Sequence, residues 1–318
     1  TVQMVNDPDQ PGPGGSGNPA DMPDVRIHSE PKLTRPLVIA GFAGWNDAGE
    51  AATSAIRFLR RRWRATPFAD LDPEEFYDFT QARPSVKLEK GERVIEWPAN
   101  EFAAHHIEGT GRDIILLSGI EPHVHWQRFV DNIVDLCERH DVSGFVTLGG
   151  LLSEVSHAHP VRIGGSATDP ELARMLGFDE PRTPGYQGPT GIVGVLSQTL
   201  RQRGIETASV WANIPFYVQR SPNPKGALAI LQRLNTAFSL ELSLHDLEVF
   251  AARFEAQVAA DLEQNPEAAD YARRVVEEAE DEDGLDLPSD EAPEELPDAD
   301  TMVDELERFL RQQRDEQE

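Results

Sequence analysis

The chain has 318 residues, a hydrophobic content of 39% and a formal net charge of -27, which suits one large α/β domain with an appendage, or two domains. That charge repels phosphate backbones and excludes nucleic acid as an expected partner. No apolar run reaches the length of about 18 residues that predicts a membrane span, no secretory leader is read, and the one cysteine, Cys137, excludes an internal disulfide and fits a reducing cytoplasm.

Residues 1–31 are rich in Pro, Gly, Asp and Asn and predict a flexible N-terminal arm. An α/β core is expected over 32–240. Its first buried strand is Arg35 to Ala43, followed by a helix that starts at Asn46-Asp47 with Asp47 and Glu50 at capping-box spacing. Arg60, Arg61, Arg62 and Arg64 crowd that helix's C-terminal end, where cations complement the dipole. Phe76 to Phe79 reads as a strand, and Val86 to Trp97 as a hairpin turning at Lys90-Gly91 that makes the sheet mixed.

Further apolar strands are expected at Asp113–Ile120, Gly144–Leu152 and Ala208–Ala212, alternating with helices at Trp126 onward, Gly188–Gly204 and Asn223-Pro224 onward. Such alternation implies right-handed crossovers and helices on both faces of the sheet. Residues 241–283 predict a helical extension with Leu247, Phe250, Ala251, Phe254, Val258 and Leu262 along one stripe. An acidic linker covers 284–300, and 301–318 predict an amphipathic helix with Met302, Leu306, Phe309 and Leu310 on one side. The acidity is concentrated: Val275 to Glu307 hold 16 Asp and Glu and no Lys or Arg, a block that reads as a solvated segment.

Histidines carry the first chemical hint. His123 and His125, and again His157 and His159, are spaced so that two imidazoles of an extended segment face one side, which makes them candidate metal ligands. No HExxH motif or third ligand at diagnostic spacing accompanies them. Ser156, His157 and Asp169 could be combined as a nucleophilic triad, but the Gly-x-Ser-x-Gly elbow is missing. Neither a Gly-x-Gly-x-x-Gly turn after the first strand nor a Walker lysine occurs, so no cofactor is expected. In Gly188-Pro-Thr-Gly191, N–H groups near Thr190 and Gly191 could hold an anion at a helix start; alternatively, small residues let that helix press on the sheet.

Several segments together resemble the proteasome assembly chaperone 2 family, in the form found as stand-alone bacterial proteins. They are Gly41–Gly49, Gly119–Pro122 with Trp126, Leu148–Gly150, His157–Pro160, Tyr186–Leu196, Trp211–Pro215 with Tyr217, and Pro222–Lys225. Phe216 and Ala158-His159 depart from the family pattern. The resemblance implies a three-layer αβα sandwich with a mixed, mostly parallel sheet, similar to the nucleoside phosphorylase and hydrolase folds. It also implies a homo-oligomer, such as a trimer, and a protein partner, since eukaryotic relatives help to assemble proteasome rings. It brings no established activity.

Two functions therefore stand at this point: a non-enzymatic, cytoplasmic interaction or assembly factor, and a small-molecule protein or enzyme. The second would bind a nucleoside, nucleotide or phosphate-containing ligand at the C-terminal ends of the strands, among Trp45, Asn46, Asp47, Glu121, His157, Tyr186, Thr190 and Gly191.

Overall fold

The computed structural model describes residues 22–107, 112–178, 188–218, 220–265, 269–270 and 272–274. Their centre is an eight-stranded sheet in the order β1-β3-β6-β7-β2-β8-β10-β9. Strands β7 (Asp113–Ile120), β2 (Leu37–Ala43), β8 (Gly144–Ser153) and β10 (Thr207–Pro215) run parallel. β9 (Ile163–Ala167) borders β10 in the opposite direction. On the other flank β6 (Asn100–His106), β3 (Thr66–Leu71) and β1 (Val25–Ile27) alternate in direction. Five of the eight strands of this sheet (β2, β3, β7, β8 and β10) thus point the same way.

Alternate residues of each central strand feed two separate cores. Leu37 and Ile39 join α1 (Ala51–Trp63), α4 (Pro170–Leu176) and α6 (Pro224–Phe238) on one face. Val38, Ala40 and Phe42 join α3 (Trp126–Arg139) and α5 (Ile192–Gln202) on the other. Both faces of the parallel centre are therefore dry, which is why its strands read as unbroken apolar runs rather than alternating ones. The three layers are those expected for an αβα sandwich.

Four local expectations change. The end of the presumed N-terminal arm is structured: Met22 is buried, β1 pairs with β3, and the buried Asp24 carboxylate accepts hydrogen bonds from Arg128 (2.6 Å) and Asn132 (3.1 Å). The presumed strand at Phe76 is instead the end of a short helix, α2 (Pro73–Phe76). Asp72 accepts from the Glu74 N–H, and Pro73 suits the first helical position.

The hairpin exists, as β4 (Ser85–Glu89) and β5 (Glu92–Glu96), but forms a sheet of its own; the reversed strands β1, β6 and β9 mix the main sheet instead. The helix after β2 begins only at Ala51, after a 3-10 turn over Ala48–Glu50. Beyond the core, α7 (His245–Gln264) packs Leu247, Ala251, Phe254 and Val258 inward. The acidic linker and the amphipathic segment at 301–318 lie outside the described residues.

Candidate functional site

The carboxyl ends of the parallel strands meet in one loop cluster. β2 leaves the sheet at Gly44, whose φ of 137° is open to glycine. The chain then crosses the top of β8, where the Asn46 carbonyl accepts from Gly150 N–H at 2.9 Å. From there Gly49 reaches α6: its carbonyl accepts from the Asn223 N–H at 2.7 Å. One loop thereby ties together strands β2 and β8 and the start of α6.

Glu121, just past β7, is the second tie. Its carboxylate accepts from the Trp45 N–H at 3.3 Å and from the Ile192 N–H at 2.8 Å. Ile192 is the first residue of α5, so an internal carboxylate already sits where the positive end of that helix would attract an anion. Gly191 has ordinary backbone angles (φ -84°) and is glycine for space. A methyl group there would lie 2.0 Å from Asn46 Oδ1 and 3.0 Å from Glu121 Oε1. Of the two readings of the Gly188–Gly191 turn, this geometry is the close-packed one. Asn46 Oδ1 is itself buried and, among the described residues, accepts no hydrogen bond.

Asp47 faces away from this cluster, into the start of α1. Its Oδ1 accepts from Ala52 N–H (2.8 Å) and Thr53 N–H (3.3 Å), and Oδ2 from the Thr53 hydroxyl. Burial holds its pKa above the usual carboxylate value, opposed by these hydrogen bonds. The predicted capping box is replaced by a carboxylate reaching past the 3-10 turn, while Glu50 pairs with Arg57 at 2.7 Å.

His157 belongs to a different group, on the α6–α7 face. The Tyr217 hydroxyl accepts from the His157 backbone N–H and lies 2.8 Å from its Nδ1. Lys225 donates to the His157 carbonyl and pairs with Glu255 at 2.9 Å. Burial lowers the imidazole pKa, with the Lys225 charge adding to the effect. Beside it, a pocket lined by His159, Arg162, Asn213 and Phe254 encloses about 20 Å³. That is room for about one water molecule, against roughly 300 Å³ or more for a typical small-molecule site.

The site residues read from sequence therefore divide. Trp45, Asn46, Glu121, Thr190 and Gly191 gather on the α3–α5 side, Asp47 serves α1, and His157 lies across the sheet. Tyr186 is outside the described residues. The candidate metal ligands are separated too: His123 Nδ1 accepts from Asp78 N–H at 3.0 Å, just past α2, and His125 Nδ1 lies 2.7 Å from the Glu75 carbonyl within α2, far in the topology from His157 and His159. Among the described residues no three His, Cys, Asp or Glu come together as a metal site. The triad disperses as well: Asp169 caps α4 through Leu172 N–H (2.8 Å) and Ser156 Oγ accepts from Ala158 N–H (3.1 Å).

A feature missed in the sequence is an exposed apolar edge. Trp45 (65% exposed), Leu151 (49%), Leu152 (58%) and Phe216 (42%) crown three neighbouring strands, β2, β8 and β10. Leu151 and Leu152 end an apolar run that reads as a buried strand. They emerge because β2 turns off at Gly44, whereas β8 continues beside β10 to Ser153. Nothing in the composition of that run distinguishes its covered residues from its bare ones.

The model of the PAC2 family matches residues 41–262, a span containing every residue of the loop cluster. A solved PAC2 family protein from Streptomyces avermitilis is 38% identical, with a TM-score of 0.67 over 74% of this chain and 99% of that one. A Mycobacterium tuberculosis proteasome-assembly chaperone homologue is 35% identical, with a TM-score of 0.65 over the same shares. An archaeal proteasome activator from Pyrococcus furiosus shares the fold at 20% identity, with a TM-score of 0.60 over 75% of this chain and 98% of that one. No curated protein matches the chain. Among the described residues no helix is long and apolar enough to cross a membrane. With the family model covering more than half of its length, and close relatives sharing the same sandwich, the chain belongs to the PAC2 family.

Proposed function

We propose that the chain is an assembly-chaperone-like protein that binds protein subunits, proteasome subunits first among them, through the carboxyl edge of its sheet. The observation that carries this reading is the bare crown of Trp45, Leu151, Leu152 and Phe216. Aromatic side chains of roughly 150–250 Å² leave on the order of 200 Å² exposed at Trp45 and Phe216 alone, and Leu151 and Leu152, consecutive in β8, extend the exposed apolar surface to both faces of that edge. Beneath it, Glu121, Gly150 and Asn223 brace the loops through hydrogen bonds, so a partner meets a preformed surface and little ordering entropy opposes binding. The family relationship supports the kind of partner, since a 35% identical relative is described as a proteasome-assembly chaperone homologue. On this reading the protein acts by binding rather than by catalysis, as a homo-oligomer in the cytoplasm, where its single buried thiol, Cys137, meets no oxidant.

The test mixes the purified chain with unassembled proteasome α and β subunits from its own organism and follows complex formation by size-exclusion chromatography with light scattering. A complex should form, and Trp45→Asp combined with Leu152→Asp should abolish it while leaving the melting temperature intact. If neither subunit binds, or if the double variant binds as well as the parent chain, the reading fails.

A further inference from the structure

The pocket beside His157 gathers basic groups in a chain whose net charge is -27. Among its lining residues His157, His159, Arg162 and Lys225 bear N–H groups, and Glu255 of α7 is the one carboxylate. Of these four basic side chains, only Lys225 meets a carboxylate among the described residues, Glu255 at 2.9 Å. His159 and Arg162 line the same space, so donors and positive charge exceed what a single carboxylate satisfies.

Each donor is set by its surroundings. The Lys225 side chain is 17% exposed and gives one hydrogen to the His157 carbonyl; an ammonium held that far from water needs a counter-ion. The Tyr217 oxygen already accepts from the His157 N–H and from the Ser156 hydroxyl. Its own proton therefore goes to His157 Nδ1, 2.8 Å away, and Nε2 keeps the ring hydrogen. The first free N–H groups of α6 are taken by Asn223, so side chains rather than the helix end supply the donors. Glu255 sits at the rim, with its side chain 43% exposed. Its neighbours Phe254 and Val258 anchor α7 against Val218, so Glu255 turns out to water by rotating its own bonds while the helix stays in place.

We propose that this pocket is a binding site for a free tetrahedral oxyanion of the phosphate or sulfate type, and that the Glu255 carboxylate stands in for it. The void alone has room for about one water molecule, far less than an organic ligand needs. Joined to the space of a displaced carboxylate, it suits a small inorganic anion. The oxygens of such an anion reach donors on several sides at once, whereas Glu255 reaches Lys225. Lys225 supplies a point charge and Arg162 a planar fork, the two kinds of donor that bind tetrahedral oxyanions. The exchange keeps an anion beside the half-buried ammonium throughout. The site lies on the α6–α7 face and contains none of Trp45, Leu151, Leu152 and Phe216, so it does not depend on the subunit-binding reading.

Isothermal titration calorimetry of the full chain with inorganic phosphate, and separately with sulfate, at low ionic strength tests the assignment. Glu255→Gln removes the competing charge and should tighten phosphate binding roughly tenfold, the weight of one unit charge in a partly exposed pair. In that background Lys225→Met should abolish binding and Arg162→Gln should weaken it several-fold. Arg162 is exposed, so its replacement spares the fold, and circular dichroism checks every variant. Phosphoethanolamine, whose phosphate carries an organic tail, separates an esterified anion from a free one and should bind less tightly than phosphate. The proposal is overturned if Glu255→Gln binds neither anion, or binds them no more tightly than the parent chain. It is equally overturned if either Lys225→Met or Arg162→Gln leaves the affinity unchanged, or if the ester binds as well as free phosphate.

Discussion

Replacing Asp47 separates a structural carboxylate from a chemical one. In the fold it serves three donors: the N–H groups of Ala52 and Thr53, and the Thr53 hydroxyl. Asp47→Ala leaves all three without an acceptor at a buried helix start. Losing a helix cap costs about 0.5–2 kcal/mol, and stranding a buried polar group about 1–3 kcal/mol. Release of a charge that burial disfavours offsets part of this, which leaves a net loss of about 2 kcal/mol. Asp47→Asn keeps an oxygen for the two N–H donors and offers its NH₂ to the Thr53 oxygen, while removing the buried charge. It should therefore cost under about 1 kcal/mol, within the range of an exchanged hydrogen bond. Urea unfolding followed by circular dichroism measures both variants against the parent. Should Asn prove as damaging as Ala, the negative charge itself would be essential and the capping argument would be wrong; should Ala be neutral, the hydrogen bonds carry nothing.

Two further outcomes rest on the same loops. Gly191→Ala introduces a methyl group 2.0 Å from Asn46 Oδ1, and overpacking of this kind costs about 1–3 kcal/mol; adding Asn46→Ala, which removes an oxygen that accepts no hydrogen bond among the described residues, should restore most of the loss, and a double-mutant cycle without coupling would refute the contact. His157 has a lowered pKa in the fold, so below the ordinary imidazole value near 6.5 the unfolded chain binds its proton more readily and stability drops as pH falls. The melting temperature of His157→Gln should decline less steeply between about pH 7 and pH 5, with His105 and His140, also lowered by burial, contributing the slope that remains. Parallel pH profiles would show that His157 is not titrating as proposed.

The parallel centre of the sheet was legible because strands dry on both faces must be apolar throughout, as in Leu37 to Phe42 and Asp113 to Ile120. Helix α6 was equally clear, since Asn223 and Pro224 mark a start that needs no tertiary help: Asn223 Oδ1 accepts from the Lys225 and Gly226 N–H groups. The flanking strands β1, β3, β6 and β9 were not seen. They are short or polar, and partners such as Leu71 for Val25 lie far along the chain, where local periodicity carries no information. The residues of the candidate site were read as a single pocket because each follows a strand end, a one-dimensional property.

What the chain alone determined is its family, through the glycine-rich loops, and its layered order of strands and helices, through the period of its apolar residues. Only the folded arrangement decided what those loop residues face. Glu121 meets the α5 terminus, Asp47 meets α1 and His157 meets Tyr217 because of where strand neighbours β7, β2, β8 and β10 end relative to one another. The same staggering leaves Leu151 and Leu152 in solvent: a side chain's hydrophobicity is set by its identity, but its burial is set by what happens to stand beside it.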